Sequence, residues 1–252
     1  MKYAILTPTR DRPQKLLRHL NSINNHVSKN HEVKVYVFVD SDDPKISDYR
    51  QQQRELNQRT IQSEYNISVD YTYGNVKSIG VAWNIMAKKA LREGAQWLMM
   101  GNDDIVYKTK DWDIKLDQHI SKLSDDYWLL WPNDGINGGS HCAFPIVSKA
   151  WHDTLGYFVP EIFIFGYHDT YVYRVAQRAG RCKYVSDIHN NHQHANRNPG
   201  ERDATHTQAH RKAGTRQQVF AKDGRTIEKY QSHIEREGDI IKEKIAELSL
   251  EK

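Results

Sequence analysis

From Ala4 to Trp131 the chain alternates short apolar segments with stretches of helical periodicity, and the apolar segments run into polar, acid-rich loops. Ala4 to Thr7 meets Pro8-Thr9-Arg10-Asp11-Arg12-Pro13, after which Leu16, Leu17, Leu20 and Ile23 recur at helical spacing. Val33 to Val39 is apolar at nearly every position, as in a strand covered on both faces, and stops at Asp40-Ser41-Asp42-Asp43-Pro44. Ile67 to Tyr73 predicts a third strand, and Ile79, Trp83, Met86, Ala90 and Leu91 one face of a helix closed by Gly94. Trp97 to Met100 predicts a fourth strand that meets Gly101-Asn102-Asp103-Asp104. A helix with Trp112, Leu116, Ile120 and Leu123 on one side and a strand from Tyr127 to Trp131 follow. This order predicts an α/β fold, an open and mostly parallel sheet with helices on both faces.

The remainder is less regular. Residues 45 to 64 read as a polar surface helix or a variable excursion, without chemistry. Beyond Pro132 the chain is loop-rich through Asn133-Asp134-Gly135-Ile136-Asn137-Gly138-Gly139, ahead of an apolar stretch from Cys142 to Val147. A helix from Asp169 to Ala179 ends at Gly180, a strand from Arg181 to Val185 leads into a histidine cluster, and Thr226 to Leu248 predicts one charged amphipathic helix.

Composition narrows the class. Of 252 residues 38 % are hydrophobic, yet six Trp, fourteen Tyr and six Phe supply the bulky anchors that a disordered chain lacks. No apolar run approaches the roughly 20 residues of a spanning helix, so no membrane association is expected. The apolar start is too short for a signal peptide, and Cys142 and Cys182 are too few and too separated to staple a fold or build a zinc site. A reducing cytoplasm is the expected location. The net charge of +4 is uneven: residues 170 to 236 hold 13 Lys and Arg against 6 Asp and Glu, with six His besides. That third is either a surface for an anionic partner or a solvated basic face.

In open α/β sheets, ligands bind beyond the carboxyl ends of the strands, where Pro8-Thr9-Arg10, Asp40 to Asp43 and Asn102-Asp103-Asp104 converge. Neither a dinucleotide fingerprint nor a P-loop is present, so phosphates held here need a divalent cation in place of a glycine cradle. Asn102-Asp103-Asp104 offers carboxylates for Mn²⁺ or Mg²⁺; a turn or helix cap is the competing reading. His189-Asn190-Asn191-His192-Gln193-His194 puts His192 and His194 on one face of an extended segment, either able to reach that metal or to stand as an ordinary imidazole. Asp169, at a helix start, is either a cap or a general base.

Four ordered blocks resemble the GT-A nucleotide-sugar glycosyltransferases of the family 2-like kind. Ile5-Leu6-Thr7-Pro8-Thr9-Arg10 resembles their first strand and base-cupping loop, and Val39-Asp40 the end of their second strand, with its base-contacting Asp. Met100-Gly101-Asn102-Asp103-Asp104 stands where the family has its DXD motif, with Asn102 replacing the first Asp. Phe165-Gly166-Tyr167-His168-Asp169-Thr170, with Arg174 and Gly180, resembles the acceptor-side helix whose leading acid is the base; His168 stands where the common form has Glu. The resemblance spans about residues 3 to 195.

What it implies is a Rossmann-like GT-A domain over 1–195, its nucleotide-binding half about 1–110 and its acceptor half about 111–195. Residues 196–252 would form a basic loop and a C-terminal helix packed on it. The implied enzyme is a metal-dependent, inverting hexosyltransferase using a nucleoside diphosphate sugar, a UDP-sugar first. Asp104 and His192, with His194 the alternative, would hold Mn²⁺ or Mg²⁺. Thr9, Arg10, Asp40, Lys77, Asn102 and Asp103 would contact the nucleotide, and Asp169 would be the base. For the acceptor, the basic segment with Arg197, Arg202, Arg211, Lys212 and Arg216 places hydroxymethylated bases of DNA, as bacteriophages use them, ahead of protein or soluble glycan. The host cytoplasm would then be the location. A sugar nucleotidyltransferase and a noncatalytic nucleic-acid-binding protein are the rivals.

Overall fold

A computed structural model of the protein describes residues 1–194 and 216–250. One eight-stranded sheet runs through it, in the order β3-β2-β1-β4-β7-β6-β8-β5. The strands are β1 (Lys2–Thr9), β2 (Glu32–Asp40), β3 (Ser68–Gly74), β4 (Trp97–Met100), β5 (Ile105–Tyr107), β6 (Leu129–Asn133), β7 (Ile146–Ser148) and β8 (Cys182–His192). The helices are α1 (Pro13–His26), α2 (Ile46–Ile61), α3 (Ile79–Arg92), α4 (Trp112–Ile120), α5 (Lys149–Leu155), α6 (His168–Ala179), α7 (Arg216–Lys229) and α8 (Gln231–Leu250), with a 3₁₀ turn at Gly138–Ser140. The fold is α/β of the GT-A type, mostly parallel, with helices at its C-terminal end.

β1 lies at the centre because it is buried from both faces, Tyr3 to Leu6 being at most 1 % exposed. It pairs in parallel with β2, Ile5 opposite Val35, and with β4, Leu6 opposite Met100. The chain reverses its strand order between β1 and β4, so a crevice opens there beyond the strand ends. α3 seals one side: the Trp83 indole N–H donates to the Leu6 carbonyl at 3.0 Å. Gly101 continues β4 against β1 so closely that a Cβ would sit 2.4 Å from Thr7 Oγ1 and 3.0 Å from the Leu6 carbonyl. Only glycine allows the Asn102-Asp103-Asp104 turn to leave from that point.

Three differences from the sequence reading shape the site and the tail. β5, three residues long, follows Asp104 at once where only a loop before a helix is expected. β8 runs on to His192 beyond the predicted end at Val185, because the edge strand β5 pairs with its last turn: Ile105 faces His192, Val106 faces Asn191 and Tyr107 faces Asn190. The tail is two helices, α7 and α8, meeting at Tyr230. α8 packs on α6, where a Cβ on Gly238 would reach 2.3 Å from Arg178 Cγ, and buries Ile234 and Ile241. Among the described residues no helix is long and apolar enough to cross a membrane.

Candidate active site

A cavity of about 930 Å³ opens at the carboxyl ends of β1, β2 and β4 and extends to the start of α6. Thr9, Arg10, Asp40, Asn102, Asp103, Asp104, His192, His194 and Asp169 all line it. Lys77 does not. Val76 and Ile79 turn toward the cavity, Ser78 caps α3 by accepting the Val81 N–H, and Lys77 between them is left exposed. Of the six residues expected at the nucleotide it is the one that the cavity wall does not include.

At the β1–β2 end, Arg10 Nη1 bridges Asp40 Oδ2 at 2.7 Å and Asp42 Oδ1 at 2.6 Å. The bridge ties the two strand-end loops into one rim. Thr9 points inward: its Oγ1 donates to Asp103 Oδ2 at 2.7 Å and lies 3.0 Å from the Tyr49 hydroxyl, which accepts the Arg12 N–H at 2.8 Å. Arg12 Nη1 meets Asp103 Oδ1 at 3.2 Å. Thr9 and Asp103, 7 % and 4 % exposed, are thus engaged with each other and with Arg12. Burial pushes the Asp103 carboxyl up to about 6, with Asp104 adding to it and Arg12 and Thr9 opposing.

Asp104 is the other half of this split pair. Burial works against its charge, but the facing His192, with Arg12 and His194, outweighs that and holds it below the usual carboxylate range. Its Oδ1 lies 3.6 Å from His192 Nε2, too long for a hydrogen bond, and makes none among the described residues. His192 Nδ1 is likewise buried without a partner among them. The imidazole is seated by Phe144, ring centroids 5.0 Å apart, and the His192 backbone N–H donates to the Asp134 carbonyl at 3.0 Å. Gln193 N–H donates to the Asp104 carbonyl at 2.8 Å, which pins the two segments together. Two ligands on one ion with bonds of about 2.1 Å stand roughly 3.0 to 3.5 Å apart at right to tetrahedral angles, so an orphaned carboxylate oxygen facing an imidazole at this separation fits a divalent cation. Among the described residues no three His, Cys, Asp or Glu side chains form a ready cage, so water and the ligand's own oxygens would complete such a site.

Asp169 lines the cavity from the first turn of α6, two residues after the cap Tyr167 at φ 66°. Its Oδ1 accepts the Thr170 N–H at 2.7 Å, and its Oδ2 lies 3.3 Å from His141 Nε2. The loop that carries His141 is organised by the buried Asp134, whose Oδ1 accepts the N–H groups of Ile136, Asn137 and Gly138 and whose Oδ2 accepts the Asn137 side-chain amide. α7 closes this end. Asp223, 1 % exposed, accepts the N–H groups of Ile164, Phe165 and Gly166 at 3.1, 2.9 and 3.0 Å. Phe220 from the same helix lines the cavity over Gly166, where a Cβ would come within 2.8 Å of the ring.

Sequence reasoning passed over His141, Asp134, Arg12, Asp223 and Phe220. Asp134-Gly135 carried a usable turn signal, since an Asp before Gly caps its own loop. Asp223 lay inside a charged helix and carried none. Arg197, Arg202, Arg211 and Lys212 lie outside the described residues, and Arg216 opens α7. Arg174, Arg178 and Arg181 pair with Glu228, Asp239 and Asp125.

No protein-family model matches the sequence, and no curated protein matches it. Solved structures do. TarS 1-349 from S. aureus aligns at 15 % identity with a TM-score of 0.55, over 75 % of this chain and 60 % of that one. The same protein in complex with UDP-GlcNAc gives 16 %, 0.55, 75 % and 58 %. The mannosyltransferase PcManGT from Pyrobaculum calidifontis, in complex with GDP-Man and Mn²⁺, gives 15 %, 0.54, 89 % and 64 %. This chain spans about 60 % of the TarS 1-349 chain that it matches. At these identities the likeness is one of fold.

Proposed function

We propose that the protein is a metal-dependent glycosyltransferase that moves a sugar from a nucleoside diphosphate sugar to an acceptor hydroxyl with inversion. The observation that carries this reading is the meeting of Asp104 Oδ1, buried without a partner among the described residues, with His192 Nε2 at 3.6 Å in a cavity that Asp169 also lines. Structures of the same fold that hold UDP-GlcNAc, or GDP-Man with Mn²⁺, support the donor class. The rim of Arg10, Asp40 and Asp42 would meet base and ribose, with Asn102 beside the ribose. Thr9 and Asp103 act at one remove, holding the turn from which Asp104 projects.

Mn²⁺ or Mg²⁺ on Asp104 and His192 would neutralise the diphosphate and so stabilise the leaving nucleoside diphosphate. Asp169 takes the proton of the acceptor hydroxyl, which attacks the anomeric carbon from the face opposite the diphosphate. The acceptor is a hydroxymethylated base in DNA, a reading supported by the excess of 13 basic over 6 acidic residues between 170 and 236. The test is incubation with UDP- and GDP-sugars, Mn²⁺ and duplexes with or without 5-hydroxymethylcytosine, followed by mass analysis of both products. Glycosylated DNA with released nucleoside diphosphate is the expected result. Transfer only to protein or glycan would overturn the acceptor, and pyrophosphate as product would make the protein a nucleotidyltransferase.

A further inference from the structure

A lone carboxylate, with a reference pKa of about 3.9, holds few protons at neutral pH, whereas a general base works best when its pKa lies near the working pH. Asp169 is not alone. Its Oδ2 lies 3.3 Å from His141 Nε2, and the Thr170 N–H on Oδ1 sets the orientation of the carboxylate. Both side chains line the cavity and both keep part of their surface open to it, 33 % for His141 and 27 % for Asp169. The imidazole is held from a separate part of the chain: it follows the 3₁₀ turn that Asp134 organises, and its ring stands edge-on to Tyr173 of α6 at 5.8 Å.

Resting on the glycosyltransferase reading, we propose that Asp169 and His141, the latter with its own hydrogen on Nδ1, form one base, the proton of the acceptor hydroxyl passing through the Asp169 carboxylate to Nε2 of His141. The acceptor oxygen forms its bond to the anomeric carbon, and the bond from that carbon to the diphosphate oxygen breaks with its electron pair leaving on the nucleoside diphosphate. The O–H proton moves to Asp169 and on to His141, and the imidazolium returns it to water. Once transferred, the proton rests on an imidazole that lies beside a carboxylate. The charged groups facing His141 are Asp169 and Asp134. The Asp169 bond raises the His141 pKa above its ordinary value, against an opposing effect of burial, and the Asp134 charge adds to the rise. Only the neutral imidazole can accept the proton, so turnover rises with pH through this titration.

Two measurements on the full chain test it. The His141 ring is titrated by NMR in the wild type and in Asp169→Asn, and donor hydrolysis with water as acceptor is followed against pH for the wild type, His141→Gln and His141→Ala with added imidazole. The expected result is a His141 titration above the free-histidine value that falls in Asp169→Asn and coincides with the acid limb of the wild-type rate profile. His141→Gln should lower kcat by a factor of about 10 to 100 with donor KM unchanged, and imidazole should restore part of the rate to His141→Ala. An identical His141 titration with and without the Asp169 carboxylate would overturn the proposal. So would a His141→Gln protein with wild-type kcat and acid limb. If the wild type turns over no nucleoside diphosphate sugar, the enzymatic reading fails, while the NMR comparison still decides whether the two groups are coupled.

Discussion

Replacing Asp223 with Ala removes the one carboxylate that joins α7 to the loop ahead of Asp169. Three N–H donors, of Ile164, Phe165 and Gly166, lose their acceptor at once. A buried donor left unsatisfied costs about 1 to 3 kcal/mol; the first two are only partly buried and water can reach them, so the total is about 3 to 5 kcal/mol. For a chain of this length each kcal/mol moves the melting temperature by roughly 2 to 4 °C, which gives a drop of about 6 to 20 °C. Asp223→Asn keeps one acceptor oxygen and should fall between. Asp239→Ala, which breaks only exposed pairs with Arg178 and Lys242, should melt near the wild type. Thermal unfolding followed by near-ultraviolet circular dichroism reads all three. An Asp223→Ala protein melting within about 2 °C of wild type would refute the view that this carboxylate fastens the C-terminal helices to the acceptor end.

His19 and His168 are held neutral by burial, each with a pKa lowered to about 4; the Ile105 carbonyl opposes the shift at His19, and Asp169 and Asp223 oppose it at His168. The unfolded chain binds more protons between about pH 6.5 and 4, so stability drops as the pH is lowered through that window, by about 2 kcal/mol per histidine at pH 5. Urea unfolding at pH 7.5 and 5 checks this, and His19→Gln should shrink the difference by about that amount. Gly101→Ala forces a Cβ against Thr7 Oγ1 and the Leu6 carbonyl, which should cost about 1 to 3 kcal/mol and weaken nucleotide binding by displacing Asn102 to Asp104. Lys77→Ala should leave nucleotide affinity unchanged in a calorimetric titration, because its side chain is off the cavity wall.

The strand ends were legible because each central strand is a continuous apolar run stopped by charge, and the crevice beyond them follows from the strand order alone. The closeness of Asp104 and His192 was legible as one of two readings of the histidine cluster, a metal ligand or an ordinary imidazole. What brings them together is β5, three residues on the sheet edge that carry no periodic signal, paired with a β8 that continues through the polar run Ser186 to His192. Polar residues in an edge strand read as loop, which is why that pairing was missed. The inward turn of Thr9 and Asp103 was also invisible, since both are ordinary ligand residues by type, and only their bond to each other and to Arg12 and Tyr49 removes them from the surface. His141 had no local signal. Its significance comes from Asp169, 28 positions away.

The central claim is that Asp104 and His192 jointly hold the cation that carries a nucleoside diphosphate. Thermal shift of the wild type, Asp104→Asn and His192→Ala with UDP or GDP, with and without Mn²⁺, tests it most directly. One nucleotide at about 100 times its Kd should stabilise the wild type by roughly 2.7 kcal/mol, only when Mn²⁺ is present, and neither variant should respond. An equal shift without metal, or one that persists in both variants, would contradict the account.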